Sequence, residues 1–106
     1  MSWDRTYFKF LAFSADHTLP VDRVARCVLD AVCSCDAEPL SVTEAMDMAD
    51  IASPATIHRK LDELVAAGLV EHAYLDGNRR TKYLVPTPKA QAFYGALGEA
   101  MREAVQ

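Results

Sequence analysis

The chain has 106 residues, 51% of them hydrophobic and 25% charged, with a net charge of −4; this suffices for one compact core and leaves little room for extensive disorder. No apolar run reaches the roughly eighteen residues that span a bilayer, and no basic segment leads into a hydrophobic stretch at the start, so a cytoplasmic protein without a membrane partner is expected. The acidic balance is uneven: residues 1–52 carry −5 and residues 90–106 carry −1, whereas residues 53–89 carry +2, so a polyanion partner is disfavoured everywhere except in that middle stretch.

Apolar spacing predicts a first helix over 2–14, with Ser2 at its N-cap and Trp3, Tyr7, Phe10 and Leu11 along one stripe. Phe8 and Phe13 fall off the stripe, so one packing face cannot bury all five of these early aromatics. After a polar break from Ala15 to Pro20, Pro20 is expected in the first turn of a second helix that carries Val21, Val24, Ala25, Val28, Leu29 and Val32 on one face. That helix should end between Ser34 and Pro39. Cys27, Cys33 and Cys35 form an odd-numbered cluster, which suits reduced, ordinary buried thiols better than a disulfide framework or a zinc knuckle.

Ser41-Val42-Thr43-Glu44 has the form of a capping box, in which hydroxyl and carboxylate satisfy orphaned amides at a helix start. A short helix with Val42, Ala45, Met46 and Ala49 inward follows, and then a turn at Asp50-Ile51-Ala52. Ser53-Pro54 opens a longer helix, the serine capping and the proline sitting where a missing N–H costs nothing. Ile57, Leu61, Leu64 and Val65 give this helix its apolar face, and Gly68 supplies a left-handed stop from which Leu69 folds back onto Leu64. Val70 to Leu75 and Thr81 to Val85 read as a hairpin around Asp76-Gly77-Asn78, with Arg79 and Arg80 near its tip. Thr87-Pro88 then caps a last helix bearing Ala90, Phe93, Tyr94, Leu97, Met101 and Val105.

On the longer helix the 100° step leaves Ala55, Arg59, Asp62 and, on the flank, Thr56 facing outward. Small residues followed by an arginine suit the major groove of duplex DNA, since the helix can approach closely and a guanidinium can donate two hydrogen bonds to guanine. Ser53, Ala55, Thr56 and Arg59 are therefore the candidates for base edges, with His58 and Lys60 flanking the backbone and Arg79, Arg80 and Lys82 on phosphates. Asp62 and Glu63 would repel DNA, so the reading surface ends near Arg59 or Lys60. Such a short footprint favours a homodimer on two half-sites. Trp3, Tyr7, Phe8 and Phe10, together with Phe93, Tyr94, Leu97 and Met101, are the candidates for its interface.

Three segments, Leu40 to Glu44, Ser53-Pro54-Ala55-Thr56-Ile57-His58-Arg59-Lys60-Leu61 and Gly68-Leu69-Val70, resemble winged helix domains of the MarR type. Asp76 to Arg80 followed by Leu84-Val85-Pro86-Thr87-Pro88-Lys89-Ala90 is similar to that family's wing and next helix. The resemblance implies a mainly α (α+β) winged helix-turn-helix, a three-helix core with a β-hairpin wing and flanking terminal helices. With the placement of the aromatics, the expected organisation is an N-terminal dimerisation helix over 1–19, a DNA-binding domain over 20–89 and a C-terminal dimerisation helix over 90–106. It implies a transcriptional regulator acting on double-stranded DNA, with room for a small-molecule effector that the residues do not identify.

His17, His58 and His72 are too scattered for a metal site, and neither a Ser-His-Asp order, a glycine-rich phosphate loop nor a paired-carboxylate pattern is present. No catalytic residue, metal or cofactor is expected. The acidic first half keeps an alternative open, a winged-helix protein-interaction module that does not bind DNA.

Overall fold

The computed structural model describes residues 2–35, 38–75, 77 and 79–106. Its elements run α1 (Trp3–Ser14), α2 (Arg23–Cys33), β1 (Leu40–Ser41), α3 (Val42–Met46), α4 (Pro54–Ala66), β2 (Val70–Ala73), β3 (Tyr83–Pro86) and α5 (Pro88–Ala104). This is the order of a winged helix-turn-helix with flanking helices. The chain divides into two compact units, Pro20–Ala90 and Met1–Leu19 with Gln91–Gln106. No helix among the described residues is long and apolar enough to cross a membrane.

In the larger unit, α2 presents Ala25, Val28, Leu29 and Val32 at helical spacing, all buried, and packs against α4, whose Ile57, Leu61 and Leu64 are likewise buried. Leu69, Val70 and Leu84 complete this core. Its side chains are aliphatic and close-packed, and the burial of each contributes roughly 1.5–3 kcal/mol relative to exposure. Val65 is half-buried, at the margin of the α4 face.

The start of α2 differs from the expected one. Asp22 is the N-cap, its Oδ1 accepting the Ala25 amide at 2.8 Å, and Pro20 and Val21 lie outside the helix. An acceptor side chain satisfies an orphan amide directly, which a proline two residues earlier cannot do. The thiols differ too: Cys27 and Cys35 are exposed and Cys33 is half-buried, because Cys27 and Cys33 fall off the buried stripe of α2 and Cys35 lies beyond its end. Burial, reinforced by the charge of Asp30, pushes the Cys33 thiol up to about 11. The thiolate is the reacting species, so at pH 7.5 iodoacetamide should modify Cys33 on the order of a hundredfold more slowly than an ordinary exposed thiol, and faster as pH rises. Peptide mass spectrometry showing Cys33 labelled as fast as Cys27 would contradict this.

Residues Leu40 and Ser41, expected only as the entry to a helix, also form a strand. The sheet has the order β1-β3-β2, both pairs antiparallel, with Leu40 opposite Leu84 in one and Val70 opposite Pro86 in the other. The hairpin strands are shorter than expected, ending at Ala73 and resuming at Tyr83. Gly77 in the intervening turn has φ +73°, whereas Asp76 and Asn78 lie outside the described residues.

The end of α4 is a complete Schellman stop. Gly68 adopts φ +75°, its amide donates to the Val65 carbonyl and the Leu69 amide to the Leu64 carbonyl, both at 3.0 Å. A Cβ at Gly68 would meet nothing within 4 Å, so the cost of Gly68→Ala is torsional alone. The left-handed strain of about 1–2 kcal/mol is partly offset by the reduced entropy of the unfolded chain. A net loss on the order of 1 kcal/mol in urea unfolding is expected.

In the smaller unit, α1 follows Ser2, which occupies the N-cap position without a side-chain cap bond; its hydroxyl donates instead to the Asp4 carboxylate. None of the residues of α1 is buried. Along α5 the buried positions are Ala90, Phe93, Ala100 and Ala104, while Met101 and Val105, expected on the apolar stripe, are exposed. Trp3, Tyr7 and Phe10 line an apolar concavity of about 280 Å³ together with Met101, Ala104 and Val105. Small alanines facing inward let larger neighbours on either side remain at the surface.

Candidate nucleic-acid interface

The site is assembled by local devices within the larger unit. At Ser41 both halves of the capping box are made: Oγ accepts the Glu44 amide at 3.1 Å, and Glu44 Oε1 accepts the Ser41 amide at 3.0 Å. α3 ends at Met46, so Ala49 lies beyond it and is exposed rather than inward. Turns bonded through Met48 carry the chain to Ser53, with the Ile51 and Ala52 amides donating to its carbonyl.

Ser53 Oγ accepts the Thr56 amide at 3.3 Å and donates to Thr56 Oγ1 at 3.0 Å, and Pro54 occupies the first helical turn. Ser53, Ala55, His58 and Arg59 are exposed, while Thr56 is half-buried. The Thr56 hydroxyl keeps its own hydrogen for a further acceptor, since Ser53 occupies only its lone pair. His58 Nδ1 lies 3.5 Å from Asp62 Oδ2 one turn on, at the acidic end of the exposed face. Among the described residues Arg59 has no carboxylate partner.

Lys60 is placed differently from its neighbour. Its side chain is only 11% exposed, with Nζ 2.5 Å from Asp22 Oδ2 and 3.2 Å from Glu63 Oε2. The Ala25 amide and the Lys60 ammonium hold the Asp22 carboxyl below the usual aspartate range, and the two carboxylates hold Lys60 above the usual lysine range. Asp22 and Lys60 therefore stay charged at neutral pH. The structure groups Lys60 with acidic partners on α2 and α4, apart from the exposed tip of the helix.

Arg79, Arg80 and Lys82 are exposed on the segment joining β2 to β3. With Thr81, Tyr74, Val42 and Thr43 they line a concavity of about 260 Å³. The Val42 amide, donating to the Lys82 carbonyl at 3.0 Å, fastens this segment to the start of α3. Among the described residues the lining brings three cations around two threonine hydroxyls and a tyrosine, a surface that attracts anionic oxygens.

The α4 end of the unit is fixed from the other side. Thr87 Oγ1 donates to the Gly68 carbonyl at 2.6 Å while accepting the Ala90 amide at 3.3 Å. The Thr87 amide donates to the Leu69 carbonyl at 3.1 Å, and Lys89 Nζ to the Ala67 carbonyl at 2.9 Å. Sequence reasoning identified Thr87 as a cap but missed both its tie to α4 and the partnership of Asp22 with Lys60.

No family model matches the chain, and no curated protein sequence matches it. Solved structures do. The transcriptional regulator Tm0710 from Thermotoga maritima superposes with a TM-score of 0.70 at 15% identity, over 94% of this chain and 67% of that one. The MepR–DNA complex from S. aureus gives 0.65 at 13%, over 98% and 79%. A MarR-family transcriptional regulator from Rhodococcus sp. RHA1 gives 0.60 at 20%, over 96% and 69%. The chain spans from 60% to 79% of the lengths of these and similar solved structures. At such identities the likeness is one of fold, a winged helix of the MarR type.

Proposed function

We propose that the chain is a sequence-specific regulator of transcription that binds double-stranded DNA as a homodimer. The observation that carries this reading is the pairing, within one compact unit, of a capped helix start exposing Ser53, Ala55 and Arg59 with an exposed cationic wing of Arg79, Arg80 and Lys82. The positive dipole end of α4 favours a phosphate beside it, Arg59 reaches base edges, and the wing neutralises the backbone. The DNA-bound MepR neighbour supports the same use of this fold.

The homodimer is supported by α1. A twelve-residue helix with no buried residue, whose Trp3, Phe8 and Tyr7 are 73%, 63% and 56% exposed, presents more apolar surface than a monomer ordinarily leaves in water. Met101, 59% exposed, adds to it. Phe93 is nearly buried and meets Tyr94 edge-on, with ring centroids 5.2 Å apart, so it supports the interface from behind.

The test is fluorescence anisotropy on duplex DNA with light scattering on the free protein. The parent should be a dimer, bind non-specific duplex at low salt, and lose affinity linearly in the logarithm of salt concentration. Arg59→Ala should weaken binding to a selected sequence by about 1–3 kcal/mol and relax preference at one position. Absence of retention on duplex at low salt would instead favour the protein-interaction module.

A further inference from the structure

We propose that Lys60 is a positioning residue for α4: bracketed by Asp22 and Glu63, it fixes how that helix sits against the start of α2, and so sets discrimination between DNA sequences without touching a phosphate. The inference rests on the DNA-binding reading above.

Lysine side chains are normally solvated, and one that is only 11% exposed is held for a reason. The Lys60 ammonium has three donors. They face Asp22 Oδ2 at 2.5 Å and the two Glu63 oxygens at 3.2 and 3.4 Å. A phosphate would have to displace carboxylates to reach it, and the three groups together carry −1, which repels a polyanion.

The Asp22 carboxylate is itself fixed. Its other oxygen accepts the Ala25 amide at 2.8 Å, so Lys60 is tied to the rigid first turn of α2 and not to a mobile surface chain. The two helices otherwise meet through aliphatic side chains such as Leu29, Ile57 and Leu61, whose contacts are non-directional and tolerate small rotations. A directional tie one residue from Arg59 removes that freedom. Rotation of α4 by about 10–20° would suffice to spoil the geometry of a base contact.

The experiment uses the full chain with Lys60→Gln, Asp22→Asn and the double variant; asparagine keeps the acceptor that caps α2. Each is measured against a duplex that the parent selects from a random-sequence pool and against a scrambled duplex, over a salt series, with thermal unfolding alongside. Each single variant should lower the selected-to-scrambled affinity ratio about three- to fivefold, the scale of a partly exposed ion pair. The double variant should be no worse than either single, and the salt slope should be unchanged. A slope reduced by about 0.9 per protomer, about 1.8 for the homodimer, with the ratio intact would make Lys60 a phosphate contact. An unchanged ratio, or additive single effects, would overturn the positioning role. Failure of the parent itself to select any duplex would overturn the DNA-binding reading first, and is seen before any variant is made.

Discussion

Leu64→Ala is expected to lower the free energy of unfolding by about 2–5 kcal/mol, the range for removing a large aliphatic side chain from a close-packed interior. Leu64 is fully buried, on the same face of α4 as Ile57 and Leu61. Its carbonyl accepts the Leu69 amide that closes the Schellman stop, so the side chain lies where α4 turns toward β2. The neighbours that would have to collapse into the space are pinned: Leu69 by that bond, and the following carbonyls by Thr87. Poor collapse leaves a cavity and puts the cost in the upper part of the range. Since small domains are stable by only about 5–15 kcal/mol, the variant should fold but with a much lower urea midpoint and an unchanged m-value. The exposed neighbour Asp62→Ala should stay within about 0.5 kcal/mol of the parent. A Leu64→Ala loss below that of Asp62→Ala would mean that α4 does not pack through this face.

The contrast between what the residues announce and what only the fold reveals follows the reach of each interaction. The capping box at Ser41 and Glu44, the cap at Ser53 with Pro54, the Gly68 stop and the Thr87 cap are each completed within a few residues, so the local sequence contains every partner. The strand at Leu40–Ser41 exists only because Leu84 is brought opposite it, and nothing near Leu40 signals that. Pro20 suggested a helix start that Asp22 provides, because a hydroxyl or carboxylate acceptor outweighs a favourable φ angle. On α5 the larger residues drew the expected stripe toward Met101 and Val105, while the buried positions are the small Ala100 and Ala104. The candidate interface divides in the same way. Arg59, Arg79, Arg80 and Lys82 were legible as exposed cations from helical and hairpin patterning. Lys60 was not separable from Arg59 by pattern, since its partner Asp22 lies 38 residues away in sequence.

Replacing Arg79 and Arg80 together by alanine is expected to weaken binding to every duplex, selected or scrambled, on the order of fiftyfold per protomer at about 0.1 M salt. Each phosphate contact contributes about 0.9 to the slope of log affinity against log salt, so the double variant should be shallower by about 1.8 per protomer, about 3.6 for the homodimer. Both side chains are exposed and line the concavity that Lys82, Thr43, Thr81 and Tyr74 share. Neutral hydroxyls can orient a phosphate oxygen but release no counterion, so removing the two arginines removes their share of the salt-dependent part of binding. The fold should be little affected, because neither arginine contributes to the buried core. Retained discrimination between the selected and scrambled duplexes is the distinguishing result, since phosphate contacts position the protein while base contacts specify sequence. A uniform loss with a shallower slope assigns the wing to the backbone. Parental affinity and slope would leave the concavity without a role in DNA binding, and the contacts would then have to lie on α4 alone.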